Sequence, residues 1–347
     1  MRESFKVRFA KYIDKKDIMS FIGNHWEKNH ILSNDQIFFD FQYRYKDDLQ
    51  FILALDSNER IVGLLGYIQY DPEKKQQDIA LALWKVIPNL SDPVLGIKLI
   101  DYLRENIKHR SIFCVGINVK TIGVYKFMGF QTGKLAHYAA FNKECKNFSI
   151  SIPPLKKKSF VCSNTWVFRI AESIDSSLEK LINLTGYKEK NPYKSKNYIL
   201  KRYVNHPYFF YNFHEVYKNN FFLGLVISRE VQHLNGKALR IIDVLADDKD
   251  ISQIINEFAS TLNQSFSEYE YIDVYASNLD MKFLTKGNYE LVSDSCKIIV
   301  PDYFSPFEQR NIDIYFFNTQ KQPTCLFKGD GDQDNPRNAT SGGAVSD

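Results

Sequence analysis

Cysteine is scarce and unpatterned in this chain. Its 347 residues include five cysteines, Cys114, Cys145, Cys162, Cys296 and Cys325. The number is odd and no CxxC pair occurs, which excludes a disulfide framework and a zinc knuckle. Long apolar runs are missing too. The longest, such as Phe221 to Ile227, fall far short of the ~20 residues needed to cross a bilayer. The opening MRESFKVRFAKY alternates like a strand and has no signal-peptide core. Neither sign of charge dominates, since 45 basic and 41 acidic residues give +4. That leaves no broad basic face and argues against nucleic acid as a partner. These absences together predict a soluble, cytoplasmic protein.

What the chain does have is core material. A hydrophobic share of 44% with 15% aromatics excludes disorder over most of the length. At roughly 100–200 residues per domain the length suggests two domains. The hydrophobic periods predict strands over Lys6 to Tyr12, Phe51 to Leu55, Ile61 to Tyr70 and Asp78 to Val86. A helix capped by Asp14 runs to about His30, and another follows Ser91-Asp92-Pro93. A strand over Ser111 to Ile117, a short helix near Thr121 to Met128 and a final strand over Lys134 to Phe141 complete the first half.

Residues 146–164, with Pro153-Pro154 and three consecutive lysines, read as a linker. The same succession of elements then recurs without repeated sequence, ending in strand Tyr271 to Ala276 and a helix up to Gly287. The predicted organisation is a domain over 1–145, a diverged copy over 165–327 and an acidic tail over 328–347.

The stretch Val115-Gly116-Ile117-Asn118, then Tyr125-Lys126-Phe127-Met128-Gly129-Phe130, resembles the GCN5-related N-acetyltransferase (GNAT) superfamily. That family's signature of Asn, Tyr seven positions later and Gly-Phe four positions after the Tyr is met in full. The likeness covers the first half, and the C-terminal half resembles a diverged copy of it. The resemblance implies an α/β fold of two tandem GNAT-like domains. Each is a twisted, mostly antiparallel sheet with helices on both faces and one splayed parallel strand pair. It also implies acetyl-CoA as cofactor. The pantetheine arm would enter the splay between Ile79 to Val86 and Ile112 to Asn118, beside Trp84, Lys85 and Val86. The pyrophosphate would rest over Val94, Leu95, Gly96, Ile97 and Lys98 at a helix N-terminus. Asn118 would bond the cofactor amide, and Tyr125 would protonate the leaving thiolate. The alternative for Tyr125 is an amphipathic aromatic with its hydroxyl at the surface.

The phosphate loop departs from the family pattern, since Ser91 and Val94 stand where Arg or Gln and Gly are usual. Pro93 also removes one donor N–H. The C-terminal half is further from a cofactor site. Its loop Leu245 to Asp250 has three carboxylates and no glycine, and Phe283 replaces the tyrosine.

His137, beside Tyr138 on the last strand of the first half, is the candidate base. A strand histidine bonded to a neighbouring carbonyl is the alternative. Asp78 is a rival, but strand direction puts it at the far end from the cleft. Asp40, Gln42 and Tyr43, in a segment read as an acceptor-binding loop, would contact substrate; packing over the sheet edge is the alternative. His206 with Tyr208 to Tyr211 offers an aromatic platform or a buried strand. Asp330 and Asp332 could receive a cationic sugar, or belong to a solvated acidic terminus. The alternating tail carboxylates fail the calcium-loop template, which lacks its Gly and its final Glu here, and no metal is expected. The run after Asn338 reads as disordered or appended.

The ending from Phe327 to Pro336, with the tandem halves, is similar to bacterial acetyltransferases encoded with surface-polysaccharide genes. The expected activity is therefore transfer of acetyl from acetyl-CoA to the amine of an amino sugar, nucleotide-linked, by direct attack. Alternatives on the same fold are an aminoacyl- or long-chain-acyltransferase, or a non-catalytic binding module. A homodimer is left open.

Overall fold

A computed structural model describes residues 5–160, 163–263, 267–293, 295 and 297–336. Cys162, Cys296 and the run after Asn338 lie outside the described residues. Two large sheets form among the described residues. The first holds β1 (Lys6–Lys11), β2 (Asp48–Leu55), β3 (Ile61–Gln69), β4 (Gln77–Val86), β5 (His109–Val115) and β6 (Gln131–Lys134). The other holds β7 (Ala136–Phe141), β8 (Trp166–Ile170), β9 (Asn212–Lys218), β10 (Phe221–His233), β11 (Gly236–Ala246), β12 (Tyr271–Ala276) and β13 (Glu290–Leu291). β14 (Tyr315–Asn318) returns to the first sheet.

The two sheets share one strand order: β1-β2-β3-β4-β5-β14-β6 and, in the same sense, β8-β9-β10-β11-β12-β7-β13. The expected strand over Lys134 to Phe141 is two strands in two sheets. β6 pairs with β14, and β7 pairs with β12 in the register His137↔Tyr275. The chain crosses at Leu135, which is buried and donates its N–H to Ile314 O at 2.9 Å. Each sheet is thus completed by a strand from the other half, and the expected linker at 146–164 separates chain segments but not sheets. Sequence period cannot reveal such an exchange, because a strand alternates identically in either sheet.

Helices cover the sheets where apolar residues recur at helical spacing. On one face of the first sheet, α1 (Lys15–His25), α2 (Ile31–Asn34) and α3 (Gln36–Tyr43) bury Ile18, Ile22, Phe38 and Phe39. On the other, α4 (Leu95–Asn106) and α5 (Ile122–Phe127) bury Leu95, Leu99, Leu103 and Tyr125. The segment expected as an acceptor loop is therefore helix α3. Asp35 caps it by accepting the Phe38 N–H at 2.8 Å. In the C-terminal half α6 (Ile174–Asn183), α7 (Thr185–Glu189), α8 (Lys196–Ile199), α9 (Asp248–Phe258) and α10 (Met281–Lys286) play the corresponding parts.

Within the described residues 328–336, the acidic tail packs into the protein rather than into solvent. Lys328, Asp330 and Asp334 are buried. Asp330 accepts from Tyr70 Oη at 2.9 Å and pairs with Lys194 at 2.9 Å. Asp334 pairs with Arg229 at 3.0 Å and accepts from Tyr211 Oη at 2.9 Å, while Lys328 pairs with Asp302. Buried charges persist only when paired, and these partners come from both halves. Among the described residues no helix is long and apolar enough to cross a membrane.

Candidate active site

The parallel pair β4/β5 parts as expected. Pairing runs from Gln77↔His109 to Ala80↔Phe113 and stops. Beyond it, β4 continues from Leu81 to Val86 paired only to β3, and β5 turns to β14. At the end of β5 Gly116 adopts φ +90°, and the N–H groups of Gly116 and Ile117 both donate to Tyr315 O, at 2.7 and 3.0 Å. That turn holds the strand away from β4. At the end of β5 lies a cavity of 370 Å³, lined by residues of and between α1–α3 including Trp26 and Gln42, by Gly116 and Ile117, and by the tail residues Asp332 and Gln333.

Asp332 differs from its two neighbours in the tail. Asp330 and Asp334 are held by cations, whereas Asp332 forms no ion pair with a described residue. Burial pushes its carboxyl up to about 6, drawn back by a hydrogen bond with Gln333 and by Arg202. It stands close enough to Tyr43 and Cys114 to raise both further above their ordinary values, which burial already lifts. Tyr43 is fully buried with its hydroxyl unpartnered, and Gln42 is 4% exposed with Nε2 unpartnered. Gln42 Oε1 accepts from Asn335 at 3.4 Å.

Tyr125 lies on the opposite face of the same sheet, with Leu81 and Cys114. It is 4% exposed, stacks on Phe317 at 4.3 Å and tilts against Trp84 at 5.6 Å. Burial holds its hydroxyl protonated far above the usual tyrosine range, partly offset by a hydrogen bond with Thr121. The surface alternative for Tyr125 is therefore not what the structure shows. The gap has a protonated phenol on one face and an unpaired carboxylate on the other.

The expected phosphate seat is already filled. Asp92 Oδ1 accepts the Val94 N–H at 3.2 Å, and Asp92 Oδ2 pairs with Lys98 at 2.6 Å. Val94 sits at φ −102°, with no left-handed turn. Gly96 makes room for Trp84, whose indole donates to Gly96 O at 3.1 Å; a Cβ there would stand 2.9 Å from the ring. Leu95 is buried in the core, Ile97 and Lys85 are half-buried, and Val86 packs against the α4 side. Asn118 is exposed and caps the following turn by accepting the Lys120 N–H at 2.9 Å. In sequence Ser91-Asp92-Pro93 reads only as a helix start; the Lys98 six residues after Asp92 is the signal for a self-satisfied loop.

Three other expectations are corrected. His137 and Tyr138 belong to the other sheet through β7. His137 bonds Asp273 at 2.9 Å, stacks on Tyr275 at 3.7 Å, and is pushed below the ordinary histidine range by burial, so it is no base for this cavity. Tyr138 is core. Asp40 is tied to Lys15 at 2.8 Å rather than to the cavity. His206 stacks on Phe209 and Tyr211 binds the tail, so the aromatic platform is filled by the chain itself. Asp78, at the far end, is satisfied by Arg110, Ser111 and the Tyr193 N–H.

The C-terminal sheet has the matching gap, and it is sealed. β11 and β12 pair only from Leu239↔Ile272 to Ile241↔Val274. Beyond that, Gly329 N–H donates to Ile242 O at 2.9 Å, Lys328 N–H to Tyr275 O at 3.2 Å, and Phe327 bridges Ala276. Asp247 caps α9 where a diphosphate would sit.

No family model matches the chain, and no curated protein matches it. Solved structures do share the fold. A GCN5-related N-acetyltransferase from Anabaena variabilis aligns at TM-score 0.56 and 12% identity, covering 91% of this chain and 72% of that one. A conserved protein of unknown function from Enterococcus faecalis aligns at 0.53 and 10%, covering 91% and 72%. The glucosamine N-acetyltransferase region of a fungal multi-domain GH3 β-N-acetylglucosaminidase aligns at 0.51 and 11%, covering 92% of this chain and 38% of that one. At such identities the likeness is one of fold: the chain has a mixed α/β, GNAT-like architecture of two sheets.

Proposed function

We propose that the first sheet carries an N-acyltransferase site, moving acetyl from acetyl-CoA to the amine of an amino sugar, nucleotide-linked, in glycan synthesis. The observation that carries this reading is the parting of β4 from β5 with a 370 Å³ cavity at the end of β5 beside Asp332. The free edge of Leu81 to Val86 fits an extended pantetheine arm. The diphosphate end does not fit the loop as it stands, because Asp92 already holds the N–H and the Lys98 charge; nothing in the mechanism is routed through that end. Acetyl-CoA, when bound, supplies the acyl carbon as a thioester.

The remaining chemistry falls to the chain. An amine bound in the cavity enters as an ammonium and must lose a proton before it can attack. Asp332, ionised above about pH 6 and unpaired, attracts the ammonium and accepts that proton. Tyr125, protonated at any working pH, stands on the other face to give a proton to a departing thiolate. The C-terminal half supplies walls and tail anchors.

Thiol release measured across a panel of nucleotide-linked amino sugars tests the reading. Asp332→Asn should lower kcat about 10²–10⁴-fold and flatten the rise in rate through pH 6. Tyr125→Phe should lower turnover more than binding. Wild-type rates in Asp332→Asn would remove the role assigned to that carboxylate. Asp92 in the phosphate seat favours a second reading, a binding module that has lost the coenzyme. Calorimetric titration with CoA decides between them: no heat and no thermal shift at millimolar CoA selects the binding module.

A further inference from the structure

Another cavity, of 110 Å³, lies on the other side of Gln42. It is walled by Phe41 and Gln42 of α3, by Tyr70 after β3, and by Tyr198, Lys201 and Arg202 of the α8 segment, so both halves of the chain build it. Its polar groups are donors in excess. Arg202 is 4% exposed; its Nη1 donates to Tyr211 and its Nη2 to the Asp334 carbonyl, and Nε has no partner. Gln42 Nε2 is likewise buried and unpartnered. Lys201 Nζ donates to the Arg44 carbonyl at 3.2 Å and has no carboxylate partner among the described residues. The acids on the lining are Asp71, paired with Lys74 at 3.8 Å, and Glu73.

Buried donors left without acceptors each cost about 1–3 kcal/mol, and here two stand beside a lysine in one cavity. We propose that this cavity binds a short-chain aliphatic carboxylate, whose oxygens satisfy Arg202 Nε, Gln42 Nε2 and Lys201 and whose chain lies against Phe41, Tyr70 and Tyr198. Burial lowers the Lys201 ammonium to about 8, so it is charged at neutral pH. The size suits the class: an apolar cavity of about 150 Å³ holds benzene, and this smaller one suits propionate or butyrate. Aromatic walls favour a carboxylate over inorganic phosphate, which has no apolar part to bury. The site is separate from the acyl-transfer reading and stands or falls without it.

Calorimetry on the full chain, titrated with sodium butyrate at constant ionic strength and without CoA, tests it. Wild type should give saturable heat in the millimolar range or tighter and a raised Tm. Lys201→Met should weaken binding at least about tenfold, the loss expected for one charge-assisted hydrogen bond, while Lys201→Arg should retain it. Absence of saturable heat, equal binding by Lys201→Met, or equal binding of inorganic phosphate would each overturn the assignment. The far-ultraviolet spectrum and Tm of ligand-free Lys201→Met verify that the variant is folded.

Discussion

In the C-terminal sheet β11 and β12 part after Ile241 and Val274, and the edges they leave are taken up by the backbone of residues 327–329. In the first, β4 and β5 part after Ala80 and Phe113, and the same tail, a few residues later, donates the Gly331 N–H to Tyr70 Oη at 3.0 Å and makes no backbone hydrogen bond to either strand edge among the described residues. One segment thus crosses both gaps. Where its backbone bonds both strand edges, it replaces any ligand. Where it makes no backbone bond to the strands, it leaves the β4 edge without a strand partner and places a side chain, Asp332, in the cavity lining. Two sheets of the same strand order become unlike here through a single strap rather than through loss of the strand geometry.

The largest effect expected comes from cutting the strap's anchor. Asp334→Ala takes the carboxylate from the buried Arg229 and the half-buried Tyr211. Breaking a buried pair by removing one partner costs about 3–5 kcal/mol. Urea unfolding should show that loss, and CoA binding should suffer with it. A loss below about 1 kcal/mol, the range of exposed pairs, would mean that the tail follows the fold rather than holding it.

Acid should act with opposite signs on two buried histidines of the C-terminal half and on Asp332. In the C-terminal half, burial lowers His206 to about 3 and His214 to about 4. Between pH 6.5 and 4 the unfolded chain therefore binds two protons that the folded chain refuses, and stability falls with pH by about 2.7 kcal/mol per unit. At the first gap Asp332, raised to about 6, takes its proton earlier in the folded state. Between pH 6 and 4 it opposes that fall by about 1.4 kcal/mol per unit. Urea midpoints from pH 7 to 4.5 should decline, and Asp332→Asn should steepen the decline. An unchanged slope in the variant would place Asp332 in water rather than in a closed cavity.

How much of this was legible follows from range. Strand Tyr271 to Ala276, the Lys6 strand and the parting of β4 from β5 rest on local period and on the Asn118–Tyr125–Gly129 spacing, and they match the structure. Tyr125 is legible from that same spacing. What stays hidden depends on partners far along the chain. Asp330 reads as solvent-facing until Lys194 and Tyr70 are beside it, and β7 reads as the end of one sheet until β12 pairs with it. His137 fails as a base for the same reason, since its neighbour in space is Asp273. Asp92 escapes notice because a capping aspartate and an anion-mimicking one look alike in sequence.

The smallest expected effects come from one methyl group placed in each gap. At Gly329 a Cβ would stand 2.7 Å from both Ile242 O and Ile242 Cγ2, so Gly329→Ala must push the strap off the β11 edge. Overpacking of that kind costs about 1–3 kcal/mol. Gly331 has φ +70°, and a Cβ there would meet no atom nearer than 3.8 Å, so Gly331→Ala meets only backbone strain, about 1 kcal/mol. The pair separates contact from conformation. If the C-terminal gap is sealed by backbone and the first merely overlooked, Gly329→Ala lowers Tm more than Gly331→Ala. Gly331→Ala, which shifts the residue beside Asp332, then shows its larger effect in KM for the amine. Equal Tm losses would mean that the tail lies equally tight in both gaps, leaving no room along Leu81 to Val86 for a coenzyme arm.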